Sequence, residues 1–293
     1  MAKFGIPYMG SKGKIAESIS MLFPKADNFY DLFGGGFSIS HCMLMTKSHR
    51  FKNFHYNEIK ADVVELVKKA IAGEYSDERF KPAWISREDF FASKDSDAYI
   101  RCCWSFGNNQ KGYLFGTEIE LYKKSMHLAV ISDEFDETAR RVFGFSEWPS
   151  NVKTIKQRRY FLRQKVQFDS KGMRRGALQQ LERVQQLQQL ERLQQLEQLE
   201  QLACYSMDYR DVPILSNAVV YCDIPYFGTA DYGEFNHAEF FDWASSRDFP
   251  VYISEYEIKD SRFKLIYEVD KRSLLSSKKA NVVKSERVYW NGI

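Results

Sequence analysis

The sequence predicts an α/β fold in which a nucleotide-binding sheet is split by a large, mostly helical insertion. Three observations predict it. Asn28-Phe29-Tyr30-Asp31-Leu32-Phe33 reads as a strand that runs straight into Gly34-Gly35-Gly36 and then into an apolar helical stretch at 38–45. The apolar run 218–222 reads as a buried strand and ends in Asp223-Ile224-Pro225-Tyr226. Between about 74 and 202 the α/β rhythm stops; the chain there is polar, mixed and rich in aromatics.

The elements follow in order. An irregular loop, Ile6-Pro7-Tyr8-Met9-Gly10-Ser11-Lys12, precedes a helix at 15–22. After the first strand, the glycine turn lets the backbone approach a ligand and offers amide N–H groups. A second strand at 51–56 leads to Asn57-Glu58, where an acid is placed to accept hydrogen bonds from ribose hydroxyls. Residues 59–71 have helical spacing at Val63, Leu66, Val67 and Ala70, and Gly73 is the stop. The rhythm returns with a strand at 203–208 ending in Asp208 and a strand at 219–223 ending in Asp223. A helix at 237–246 and strands at 250–254, 263–269 and 286–290 follow. The catalytic domain is therefore expected at 1–75 and 203–293, with the insertion at 76–202. Gly, Glu, Asp and Asp fall at four strand ends, the edge where open α/β sheets bind ligands. That pattern suits a nucleoside-like cofactor beside a reactive amine.

Composition narrows the class. The chain has 293 residues, 44% hydrophobic and 28% charged, enough for a packed core. A net charge of +3 does not by itself indicate nucleic acid. Its distribution does. Residues 153–175 hold nine basic side chains against one acid, Asp169, with Tyr160, Phe161 and Phe168 interleaved. Arg158, Arg159, Arg163, Arg174 and Arg175 are the candidate nucleic-acid contacts there. A second basic cluster includes Lys278 and Lys279, and the loop 105–112 offers Asn109 and Lys111 to phosphate or base edges. The five cysteines show no CxxC spacing and the five histidines no HxxxH pair, so no metal is expected. Without a signal-peptide or membrane-length apolar run, a cytoplasmic location is expected.

Residues 178–202 are Leu-Gln-Gln and Leu-Glu-Gln triplets with apolar residues at every third position. Three residues turn an α-helix by about 300°, so the leucine stripe winds around the helix instead of forming one face. A heptad coiled coil is excluded. Leu, Gln, Glu and Arg favour the α-helix over an extended 3₁₀ segment, and the repeat reads as a connector without a chemical role.

With these pieces together, the chain resembles the Dam-like DNA adenine methyltransferases, especially the phage-type members. Pro7, Tyr8, Gly10 and Lys12 match that family's first segment, Phe33 and Gly35 its cofactor loop, and Asp223, Pro225 and Tyr226 its Asp-Pro-Pro-Tyr motif. The run 250–256 is also similar. The resemblance implies a Rossmann-like class I methyltransferase sheet, S-adenosylmethionine as cofactor, double-stranded DNA as partner and an inserted target-recognition region. It implies cofactor contacts from Tyr8, Lys12, Asp31, Phe33, Gly34, Gly35, Gly36, Glu58, Asp208 and Asp223. It also implies that Asp223 and the Ile224 carbonyl accept the two hydrogens of a flipped adenine's amino group while Tyr226 stacks on the base, with Pro225 holding the turn. Asp rather than Asn at 223, with the basic insertion, favours DNA adenine over RNA or glutamine side chains. An inactive DNA-binding homologue is the alternative that Ile224 and Phe37 leave open, and a scaffold would not need the strand-end acids. Two residues depart from the family pattern. Ile224 replaces the first proline of the motif, and Phe37 replaces the last glycine of the cofactor loop. Neither the recognition sequence nor a partner restriction nuclease is specified by these residues.

Overall fold

A computed structural model of the protein describes residues 4–76, 79–167, 190, 192–193, 199–228, 235–272 and 283–293. Seven strands form one sheet in the order β3-β2-β1-β4-β5-β7-β6. These are β1 (Asn28–Asp31), β2 (Asn53–Asn57), β3 (Leu202–Tyr205), β4 (Ala218–Asp223), β5 (Val251–Glu255), β6 (Lys264–Arg272) and β7 (Val283–Trp290). β1 to β5 are parallel, and β7 inserts antiparallel between β5 and β6. The sheet is the Rossmann-like one expected, and its strand ends shift from the predicted ones by at most three residues. The order runs outward in one direction from β1 to β3 and in the other from β4. The switch point thus lies between β1 and β4, the place where doubly wound sheets open a ligand crevice.

Burial explains why these segments are strands. β1 and β5 are buried along their whole length, and β4 is buried up to Asp223, as parallel strands covered on both faces must be. Their apolar side chains join Ile224, Phe240, Ala244, Phe263 and Tyr289 in one core. Helices α1 (Ala16–Ser20), α2 (Ser38–Lys47) and α3 (Ala61–Ile71) lie along the first part of the chain.

Two units are distinguished by their internal packing. The first is Met1–Gly5, Ser11–Val64 and Leu196–Ile293; the second is Ile6–Gly10 and Glu65–Gln195. The division falls inside α3 and sends the short stretch Ile6–Gly10 to the second unit, whereas the sequence predicts single boundaries at 75 and 202.

The second unit is helical: α4 (Arg87–Ser93), α5 (Ala98–Cys103), α6 (Glu120–Ser132), α7 (Glu137–Phe143) and α8 (Ile155–Gln167). Its helix starts are read directly from sequence. Ser86 and Asp89 form a reciprocal capping box, and Asp97 and Asp136 cap α5 and α7. Met126, Val130, Phe143, Trp148, Ile155 and Leu162 are among its core residues. Of the Leu-Gln repeat, only residues 190, 192–193 and 199–202 are described. Leu190 and Leu193 are fully buried, and Leu199–Gln201 forms a 3₁₀ turn. The remainder of the repeat lies outside the described residues. Helix α9 (His237–Ser245) follows β4 and returns to the sheet core through Phe240 and Ala244. Among the described residues no helix is long and apolar enough to cross a membrane.

Candidate active site

Asp223 closes β4, and Lys12 reaches it from the loop before α1. The Lys12 Nζ lies 2.8 Å from Asp223 Oδ1 and 3.6 Å from Glu286 Oε2. Lys12 and Glu286 are buried, while Asp223 keeps 22% side-chain exposure and so faces partly outward. The Tyr226 hydroxyl donates to Glu286 Oε2 at 2.6 Å, and the Lys12 ammonium sits 4.7 Å from the centre of the Tyr226 ring. Tyr256 meets the Tyr226 ring edge to face, with centroids 4.4 Å apart. Burial alone would lower the Lys12 pKa, but Asp223 and Glu286 outweigh it and hold the ammonium above its usual value. Burial, then the charges of Asp223 and Glu286, push the Tyr226 phenol far up, so it stays a neutral donor.

The turn after Asp223 is tied from two sides. The ring of His237, at the start of α9, is 2.7 Å from the Pro225 carbonyl through Nε2, which donates to it. Glu255, at the end of β5, accepts the Phe227 amide at 3.0 Å and the Tyr256 amide at 2.7 Å. Ile224 has 2% exposure and belongs to the core. That explains the departure from proline: the position is filled by an apolar side chain that packs under the sheet, and Pro225 alone restricts the turn. Phe227, next in line, is 77% exposed.

At the end of β1, Asp31 is buried. Its Oδ2 accepts the Ser40 amide at 3.2 Å and the Ser40 hydroxyl at 2.8 Å; its Oδ1 has no hydrogen-bond partner among the described residues. Burial, less the Ser40 bonds and with added repulsion from Asp223 and Glu58, raises the Asp31 pKa to about 7. Glu58 follows β2 directly, and burial pushes its carboxyl up.

The glycine turn departs from expectation. Its first two amides are not offered outward: Gly34 donates to the Asn57 carbonyl at 2.8 Å and Gly35 to Glu58 Oε2 at 3.1 Å. The Glu58 carboxylate therefore closes the turn as well as ending the strand. Glycine is required at 34 because a Cβ would fall 2.3 Å from the Tyr56 ring. Phe37 adopts the left-handed backbone (φ 63°) that a glycine would take without strain. Its ring is fully buried, edge-on to Tyr56 and stacked with His41. Thus Phe37 is a packing residue of the turn. Phe33 likewise packs against Tyr209, Phe235 and Phe240.

The chain matches the sequence model of the D12 class N6 adenine-specific DNA methyltransferases over residues 8–259. It belongs to that family. It is therefore an adenine methyltransferase that acts on DNA, and the motif Asp223-Ile224-Pro225-Tyr226 lies inside the matched region. No curated protein matches the chain.

Several expected site residues are placed differently from their predicted roles. Asp208 does not end β3, which stops at Tyr205 because its partner β2 stops at Asn57. Asp208 lies in the following loop, where Arg210 grips both its oxygens at 2.8 Å and holds its carboxyl below the usual range. Tyr8 is buried and belongs to the second unit. Arg158 and Arg159 are buried in that unit as well. Arg158 donates to the Val130 carbonyl at 3.0 Å and to Asp133 at 2.9 Å, which closes the C-terminus of α6. The exposed face of α8 instead carries Lys156, Gln157 and Tyr160. Asn109 uses its Oδ1 to accept the Lys111 and Gly112 amides, folding its own loop, and Lys111 is exposed. The Arg163 side chain and all of Arg174, Arg175, Lys278 and Lys279 lie outside the described residues.

Sequence reasoning missed Glu286, His237, Asn57 and the roles of Glu255 and Tyr256. Asn57 clamps the Leu32 and Met207 carbonyls, each at 3.0 Å, joining the ends of β1 and the loop after β3. Glu286 falls on the same β7 face as Lys284 and Val288 by the period of two, so the strand's alternation does not single it out.

Proposed function

We propose that the Lys12, Asp223 and Tyr226 cluster is where adenine receives its methyl group, that S-adenosylmethionine is the donor, and that the base is turned out of a DNA duplex to reach it. The observation that carries this reading is the partly exposed carboxylate of Asp223 at the switch point, backed by a protonated lysine and flanked by an aromatic ring. The residues fit such a donor. Asp31 keeps a buried oxygen without a partner at the end of β1, and an anionic acceptor there suits the α-ammonium of a methionine. Gly36, after the closed part of the turn, and Glu58 would hold the nucleoside end. When bound, the cofactor supplies an electrophilic methyl on a sulfonium.

The chain's own groups prepare the nucleophile. An adenine amino group is poor because its lone pair is delocalised into the ring. Asp223 and the Ile224 carbonyl accept its two hydrogens, which favours a pyramidal nitrogen with the lone pair directed at the methyl. With the donor bound, its sulfonium would supply the methyl carbon and retain the electron pair of the bond given up, while Asp223 would accept the surplus proton on nitrogen. Tyr226 stacks on the base and offsets part of the few kcal/mol needed to unstack it. Positioning and electrostatics supply most of the rate.

The test is mass spectrometry of nucleosides from unmethylated DNA incubated with the protein and S-adenosylmethionine. A 6-methyl-deoxyadenosine peak is expected with the native protein and none with Asp223→Ala. Calorimetry on that variant should show cofactor affinity within a few fold of native. Equal loss of transfer and cofactor binding would make Asp223 a cofactor ligand and overturn the assignment.

A further inference from the structure

We propose that Glu286 is a positioning residue for methyl transfer: it fixes the Tyr226 ring and, through Lys12, the orientation of the Asp223 carboxylate. The inference rests on the roles given above to Asp223 and Tyr226. Glu286 lies on β7, beyond the region that matches the family, which ends at residue 259. The pairing of Glu255 with Arg287 sets Glu286 just beyond the last paired residue of β5, beside the tied turn.

Two features make this carboxylate more than packing. A buried acid is costly unless its oxygens are engaged, and Glu286 is engaged by site residues. Its bond from the Tyr226 hydroxyl, 2.6 Å long, is in the range of charge-assisted hydrogen bonds and holds the ring against tilt. Its second neighbour is the ammonium that also holds Asp223, at 3.6 Å against 2.8 Å. Lys12 therefore lies between two carboxylates, one partly exposed and one buried. Asp223 Oδ1, the oxygen that Lys12 holds, is buried, so the partly exposed remainder of the carboxylate is what an incoming amine meets while Lys12 stays paired with both acids. Glu286 thus anchors Lys12, and through it the orientation of the Asp223 carboxylate, as well as the Tyr226 ring.

The experiment uses the full-length protein and three variants: Glu286→Gln, Tyr226→Phe and the two combined. Glu286→Gln keeps the shape and an acceptor for the tyrosine but removes the charge. A fall in kcat of about tenfold or more is expected, on the scale of one charge-assisted interaction, with KM for S-adenosylmethionine within about twofold of native. The alkaline limb of the kcat profile should move to lower pH, because Lys12 loses one of the two carboxylates that raise its pKa; the groups facing it are Asp223, Glu286, Tyr226 and Tyr256. A merely structural residue would not move that limb. The combined variant should lose less than the product of the single losses. Native kcat and an unmoved limb in Glu286→Gln would overturn the proposal, as would losses that multiply. Should Glu286→Gln melt far below the native protein, Tyr226→Phe decides alone: unchanged kcat there overturns the ring-fixing role. Asp223→Ala is run beside them. Activity surviving in it sinks the site assignment itself, whereas activity lost in it but intact in Glu286→Gln sinks only the role of Glu286.

Discussion

The C-terminal edge of the sheet and helix α8 both gather charged residues, and both bury some of them, with opposite results. At the sheet edge Asp31, Glu58, Asp223, Lys12 and Glu286 come from five separate stretches of chain and converge, and burial together with neighbouring charge raises the pKa values of Asp31, Glu58 and Lys12. On α8 the arginines are neighbours in sequence, yet Arg158 and Arg159 turn inward and Arg158 serves a helix end. Charge that converges from distant elements marks a site. Charge that is merely contiguous is sorted by the helix into a face that packs and a face that meets solvent.

The comparison can be tested at three points. The largest effect is expected at Phe37. Its buried ring is worth about 3–5 kcal/mol, and the left-handed backbone costs it only about 1 kcal/mol. Phe37→Gly should therefore destabilise the protein by about 3 kcal/mol in urea unfolding. A more stable variant would show that strain, not packing, dominates the turn.

Asp31 comes next. Its folded pKa, about 7, lies above the unfolded value, so the neutral form is favoured by folding. That contribution is complete below the unfolded pKa and is lost as pH rises through about 7. Between pH 5 and pH 8 it should remove about 2–3 kcal/mol of stability from the cofactor-free protein, a loss that Asp31→Asn should not show. Parallel pH curves for the two proteins would mean that Asp31 is less buried than the site geometry requires.

The smallest effect contrasts the two faces of α8. Arg158→Ala should cost about 2 kcal/mol, since it removes a charge-assisted bond to Asp133 and the bond to the Val130 carbonyl. Lys156→Ala should leave the melting temperature unchanged and weaken DNA binding instead, lowering the slope of affinity against salt by about one. Equal melting behaviour of the two variants would erase the distinction between the faces.

Much of this was legible in the chain. The alternation of strands and helices, the Gly34–Gly36 turn and the acid at the end of the strand 218–223 are local signals: apolar runs bounded by breakers, with side-chain periods that do not depend on the rest of the molecule. The family followed from motifs with the same property. Glu286 and His237 were not legible as site residues. One is far from the motif in sequence and the other is an ordinary helix-start histidine, and only the antiparallel insertion of β7 and the placement of α9 bring them to Tyr226 and Pro225. Asp208 and Arg158 were misjudged for the complementary reason. A strand ends where its neighbour stops pairing, and a helical arginine faces inward when its turn of the helix does. Neither limit is written in the local sequence. What the sequence by itself determined was which segments are strands and which family motifs they carry, because backbone propensity and hydrophobic period act over a few residues. Which of the charges share a site was decided only by the tertiary structure, because burial and pairing depend on elements that the chain brings together from afar.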